Sequence, residues 1–138
     1  QLLSERYDLL VIDSADSPSE KFAALMRQSA TTRLFVVPSE PVGLARFETI
    51  APSLEAAALG QLEIVVNRAN PGTAGARSAA QLRKSIRDFT ALPVAAVIPS
   101  DQLFDEAAAR GIPLRQAGQK SKALSAIGEL AERLASTL

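Results

Sequence analysis

The chain has 138 residues, 47% of them apolar and 22% charged, which suffices for one domain with a core of its own. It contains no cysteine and no histidine, so disulfide staples, thiolate or imidazole metal sites, thiol nucleophiles and Ser-His triads are excluded. Fifteen basic residues balance fifteen acidic ones, and net charge therefore gives no pull toward nucleic acid.

The first element is the apolar run at residues 7–13 (YDLLVID), expected to be a strand that ends on a carboxylate, Asp13. Ser17-Pro18 then introduces a helix over residues 19–28, with Phe22, Leu25 and Met26 as its apolar stripe. A second strand is expected at residues 34–38 (LFVVP). It leads to an Ala-rich helix over residues 41–59 that Pro52 should kink or divide. Residues 62–67 (LEIVVN) form the third strand. The helix over residues 76–89 that follows sets Leu82, Ile86 and Phe89 on one face and Arg77, Arg83, Lys84 and Arg87 around the rest. The fourth strand is Val94–Pro99 (VAAVIP), followed by a helix over residues 101–110 with Asp101 as N-cap and Gly111 as its stop. An amphipathic helix over residues 121–138 closes the chain, its apolar face built from Leu124, Ile127, Leu130, Leu134 and Leu138.

The strands are near-continuous in hydrophobicity, as parallel strands covered on both faces are. The β-α alternation predicts a single three-layer α-β-α domain over residues 1–138 with a mostly parallel sheet and right-handed crossovers. Ligands of such sheets sit beyond the carboxyl ends of the strands, which directs attention to Asp13, Glu40, Asn67 and Asp101. A flavodoxin-like domain fits the same alternation, but no phosphate-binding loop follows the first strand.

Asp13, at a strand end before small hydroxylated residues, reads either as a carboxylate that holds magnesium or as a cap of the next helix. Asn67 offers a donor and an acceptor side by side, matching the edge of a purine, and the planar Arg68 can lie against its face. The competing reading is a turn, since Asn70-Pro71-Gly72 is strong turn chemistry. Pro99, Ser100 and Asp101 either meet the same ring through their backbone or simply connect strand to helix. No Gly-x-x-x-x-Gly-Lys-Ser/Thr loop occurs, and Gly118-Gln119-Lys120-Ser121 reads as a helix start. The basic group Arg77, Arg83, Lys84 and Arg87 reads as a solvated face, with nucleic-acid binding the lesser alternative for want of interleaved aromatics.

In this order the segments resemble the C-terminal half of the ParA/MinD family of deviant Walker A, P-loop ATPases. YDLLVID is similar to that family's Walker B strand, LFVVPSEPVGLARFETI to its next strand and helix, and VVNR to its adenine-reading segment. VIPSDQLFDEAAARGIPL and the helix from Lys120 to Leu134 resemble its closing segments. The resemblance implies ATP and Mg2+ as cofactors, with Asp13 near magnesium and reaching it through water. It also implies Asn67 and Arg68 at adenine, Pro99, Ser100 and Asp101 lining the base pocket, and Asp105 and Gly111 in the helix and turn beyond. It further implies an ATP-dependent homodimer, a protein partner or cargo adaptor, weak nonspecific DNA contact in partition-type members, and work in positioning or partitioning cargo in the cytoplasm. The alternative is a non-catalytic module that localises partner proteins.

Two departures bear on activity. Where the family has Thr/Ser-Pro-Pro-Gly after the Walker B aspartate, Ser14-Ala15-Asp16-Ser17 intervenes before Pro18, changing the geometry for positioning an attacking water. The lysine-bearing phosphate loop and one central strand are missing, so this segment alone is not expected to hydrolyse ATP. The chain opens on Gln1, and its one methionine is Met26; a preceding P-loop portion is the expectation. No apolar run approaches the ~20 residues of a membrane span, and with the last helix ending in Ala135-Ser136-Thr137-Leu138 a C-terminal membrane-targeting helix is not expected.

Overall fold

The computed structural model describes residues 5–13, 24, 28–56, 61–70, 78–117 and 120–137. Three strands, β1 (Thr32–Pro38), β2 (Gln61–Ala69) and β3 (Val94–Pro99), form one parallel sheet in the order β1-β2-β3. The helices are α1 (Pro41–Ala56), α2 (Ala79–Arg87), α3 (Gln102–Arg110), the single turn α4 (Leu114–Ala117) and α5 (Lys122–Ala135). The parallel α/β architecture is the expected one.

β2 is the central strand and is buried from Leu62 through Val66. Side chains alternate across a sheet, so Leu62, Ile64 and Val66 share one face. There they join Val37 of β1, Leu44, Phe47 and Ala51 of α1, and Leu82 and Ile86 of α2 in a single core. Phe47 sits at its centre, with Phe35 stacked at 5.7 Å and Phe89 edge-on at 5.6 Å. Such ring pairs each add about 1 kcal/mol beyond the area they bury.

The opposite face of β2 carries Glu63 and Val65, and α5 packs on that side of the sheet against β3. Glu63 is buried, and both of its carboxylate oxygens accept hydrogen bonds from the Arg133 guanidinium at 3.1 and 2.5 Å. The fork geometry of that pair ties the C-terminal helix to the central strand. Small residues, Ala96, Ala107 and Ala123, are buried outside the aromatic core.

Helix ends follow the local chemistry. Ser78 and Gln81 form a reciprocal capping box that starts α2 at Ala79, three residues later than expected. Asp101 caps α3, which ends on Gly111 at φ 61°. Ser121 caps α5.

Several expectations are corrected. Residues 7–13 are not a strand: they are irregular, and Tyr7, Leu9, Leu10, Val11 and Ile12 are all exposed. Strand character depends on a partner for the backbone groups, and among the described residues no ladder includes this run. Pro52 does not divide α1, which runs through it to Ala56. Pro52 and Glu48 both lie on the exposed side, where a carbonyl that lacks an N–H donor is open to solvent at little cost. β1 is not covered on both faces, because Leu34 and Val36 are exposed opposite the core. The helix expected over residues 19–28 lies almost wholly outside the described residues; positions 24, 28 and 29 are helical.

Candidate functional site

The three strands end side by side, and their carboxyl ends bring Ser39, Asn67, Arg68 and Ser100 together. Pro38 is registered with Asn67, and Ala69 with Pro99. Between Val66 and Ala69 the ladder to β3 shifts register, so β2 carries one more residue than β3 does from Val97 to Pro99. A bulge of this kind bends its strand and redirects a side chain.

The bulge is made by Arg68, the one non-glycine residue with positive φ among those described, at 57°. The left-handed region disfavours an L side chain by about 1–2 kcal/mol, and such a conformation persists where its surroundings over-determine it. Here four hydrogen bonds do so. The Arg68 N–H donates to Asn67 Oδ1 at 2.9 Å. The Ser39 hydroxyl donates to the Arg68 carbonyl at 2.7 Å. The Ser39 and Ser100 N–H groups donate to the Asn67 and Ala69 carbonyls at 3.0 and 2.6 Å.

This geometry refines the role of Asn67. Its side-chain oxygen is engaged by the next residue's backbone, while its amide NH2 has no partner among the described residues. Asn67 is half-buried and Arg68 exposed, so an unpaired donor and a planar cation stand together where the central strand ends. A flat heterocycle with ring acceptors matches that pair.

Asp101 is occupied differently. One carboxylate oxygen accepts the Leu103 N–H at 3.0 Å and the other the Ser121 hydroxyl at 2.6 Å, while Ser121 in turn accepts from Leu124 N–H. These bonds, with Ser121 the foremost, hold the Asp101 carboxyl below its usual range. Its side chain thereby joins the starts of α3 and α5, leaving backbone near Pro99 and Ser100 as the part of that loop facing the strand ends.

No protein-family model matches the sequence, and no curated protein matches it significantly. Solved structures do. The cell-division ATPase MinD of Pyrococcus furiosus superposes with a TM-score of 0.60 at 26% identity, over 80% of this chain and 45% of its own. The fold is that of a part of MinD. The septum site-determining MinD of Pyrococcus horikoshii, solved with Mg-ADP, matches at a TM-score of 0.57 and 26% identity, over 77% of this chain and 42% of its own. For the MinD cell-division protein of Aquifex aeolicus the TM-score is 0.70 at 23% identity, over 96% of this chain and 55% of its own. The chain thus spans about half the length of the MinD structures it matches.

Within the MinD fold, the sequence-predicted residues divide. Asn67, Arg68, Pro99 and Ser100 gather at adjacent strand ends, with Asp101 just beyond. Asp13 is exposed at the end of its irregular run, and the loop that follows it, residues 14–20, lies outside the described residues. Among the described residues, no three acidic, histidine or cysteine side chains cluster as a metal site. The basic face is smaller than expected: Arg83 donates to the Val94 carbonyl at 2.6 Å and is half-buried, leaving Lys84 and Arg87 exposed, while Arg77 lies outside the described residues. Sequence reasoning missed Ser39. Its signal was a small hydroxylated residue directly after Pro38, one strand over from Asn67.

Proposed function

We propose that this chain supplies the base-binding half of a ParA/MinD-like, deviant Walker A nucleotide site, as the C-terminal portion of an ATPase that positions or partitions cellular cargo. The carrying observation is the Arg68 bulge at the end of the central strand, where the Asn67 amide NH2, without a partner among the described residues, stands beside an exposed guanidinium, in a chain whose fold matches part of MinD.

The donor set suits the base end of ATP. Asn67 would donate to a ring nitrogen, Arg68 would lie on the ring face, and the backbone from Pro99 to Asp101 would border it. Magnesium rests in this reading on Asp13 alone. That suits an ion that keeps most of its waters and takes its other ligands from phosphate. The phosphates need a lysine-bearing glycine loop, which these 138 residues do not contain, so we derive no hydrolytic step. When bound, ATP would supply the energy that switches the assembly between states.

The Aquifex MinD has also been solved in complex with MinC, which supports a protein partner for this chain. An ATP-dependent homodimer is part of the same reading. DNA contact, where it occurs, falls to Lys84 and Arg87. Among the described residues no helix is long and apolar enough to cross a membrane.

The test is calorimetric titration of the natural full-length protein with Mg-ATP, beside Asn67→Ala. Removal of one charge-free base contact should weaken binding about tenfold. Binding that is absent, or equally tight in both proteins, refutes this reading and leaves the non-catalytic interaction module.

A further inference from the structure

We infer that the free edge and open face of β1 form a docking slot for a strand–helix unit from the polypeptide that precedes residue 1: its strand pairs parallel to β1, and its helix covers Leu34 and Val36. This docking shares with the proposed function only the premise that such polypeptide exists, and it requires no nucleotide.

β1 is an edge strand among the described residues, yet it lacks what keeps an edge unpaired. Natural edges are blunted by charge, proline or a bulge. From Leu34 to Val37 the strand is wholly apolar, and its register with β2 runs unbroken from Thr32 to Pro38. Its burial is also one-sided. Val37 lies in the core with Phe35 packed against it, whereas Leu34 and Val36 on the opposite face are 38% and 56% exposed. Parallel sheets are covered on both faces. On this second face α5 covers β3, and its own apolar residues Leu124, Ile127, Leu130 and Leu134 stay only half-buried.

A strand alone would pair the edge and leave Leu34 and Val36 bare, so the occupant brings a helix to the α5 side. Chain direction follows from handedness. From β1 through α1 to β2, and from β2 through α2 to β3, the chain moves one way across the sheet, and both helices lie on the core face. Crossovers between parallel strands keep one hand, so a helix on the opposite face belongs to a crossover that moves the other way. The docked strand therefore lies beside β1, and its helix leads to a strand farther out. Its second edge is open to residues 7–13, the other exposed apolar run, which has no ladder among the described residues.

Length agrees with this occupant. The chain spans 45% of the Pyrococcus furiosus MinD, which leaves more than half of that length to supply such a unit. A second copy that met β1 with its own β1 would bring no further helix, since its α5 packs on its own β3.

The experiment uses the natural full-length protein without nucleotide. Hydrogen exchange is followed by NMR at the β1 amides, beside thermal unfolding of Val36→Lys and of Ala109→Lys, the latter at an exposed position of α3. All β1 amides, including those that point away from β2, should exchange at least about 100-fold more slowly than an unpaired strand, whatever the protein concentration. Val36→Lys places a charge under the docked helix and should lower Tm by about 6–12 °C, whereas Ala109→Lys should stay within about 2 °C of wild type. Outward β1 amides that exchange like an open edge overturn the inference, as does protection that fades on dilution, which assigns the edge to a second copy. Val36→Lys as stable as Ala109→Lys overturns it too. If Val36→Lys does not fold, exchange in the wild-type protein decides. A protected β1 in a protein that binds no nucleotide removes the proposed function and leaves this docking in place, and an open β1 with intact nucleotide binding does the reverse.

Discussion

Gly43→Ala should destabilise the fold, although alanine is the better helix former. Gly43 is the third residue of α1, and a Cβ built there lies 2.4 Å from Pro38 Cγ, 2.9 Å from the Pro38 carbonyl oxygen and 3.2 Å from Pro38 Cβ. Ordinary contact begins near 3.4 Å, so the proline ring and the helix must separate by about 1 Å. The carbonyl is backbone and cannot swing aside as a flexible side chain would. Overpacking against a backbone atom should cost about 2–3 kcal/mol, the upper part of the usual range, against a propensity gain of about 1 kcal/mol. The net loss should be about 1–2 kcal/mol, or a fall in Tm of about 3–6 °C for a domain of this size. Gly128→Ala in α5 is the matched control, since its Cβ would meet nothing within 4 Å. There the propensity term stands alone, and Tm should rise by about 2–3 °C. Scanning calorimetry of both variants at one pH decides the matter. A Gly43→Ala protein as stable as wild type, or two shifts of the same sign, would refute the reasoning.

Arg133→Met leaves the Glu63 carboxylate, 4% exposed, without the partner that satisfies it. Stranding a buried charge costs about 3–5 kcal/mol, and since the Arg133 side chain is 39% exposed and water can reach the gap, we expect about 2–3 kcal/mol as a shift in urea midpoint; the double variant with Glu63→Leu should lie closer to wild type. Glu55 governs a pH effect: the Thr90 hydroxyl and then the Ala91 N–H donate to its carboxylate and lower its pKa. The unfolded chain therefore takes up the proton first as pH falls, so this contribution is complete above the ordinary carboxylate range and disappears below it. Glu55→Gln should flatten the acid limb of a Tm-against-pH curve, and an unchanged slope between about pH 5 and 3 would count against the role.

The α/β order and all three strands of the sheet could be read in the sequence because each is a short continuous apolar run, which burial on both faces requires in β2. Val94–Pro99 was bounded correctly since Pro93 and Pro99 flank it chemically. The run at residues 7–13 has the same composition and yet no ladder among the described residues, because pairing is a property of two segments and composition of one. The bulge was invisible for a related reason. A left-handed residue normally announces itself as glycine or asparagine, whereas Arg68 is held there by Ser39 and Ser100, contacts that exist only once three strands are aligned. Asn67 and Arg68 were recognisable as candidates from residue chemistry, but the engagement of the Asn67 oxygen was not. Asp101 was legible as a cap from its spacing to α3, while its bond to Ser121, 20 positions on, depended on where α5 lands. The turn α4 after Pro113 went unnoticed because four residues are too few to show a period.

The Glu63–Arg133 pair joins positions 70 residues apart, and its second member arrives in the last helix. While the chain is being made, β1, β2 and β3 emerge in the order in which they pair, with α1 and α2 between them to close one face. Among the described residues the helix that packs on the other face is α5, so until it is complete Glu63 lacks the guanidinium that satisfies it. A charge on an open sheet face discourages foreign apolar chains from settling there. The carboxylate that fastens the last helix to the central strand is thus made 70 positions before its partner.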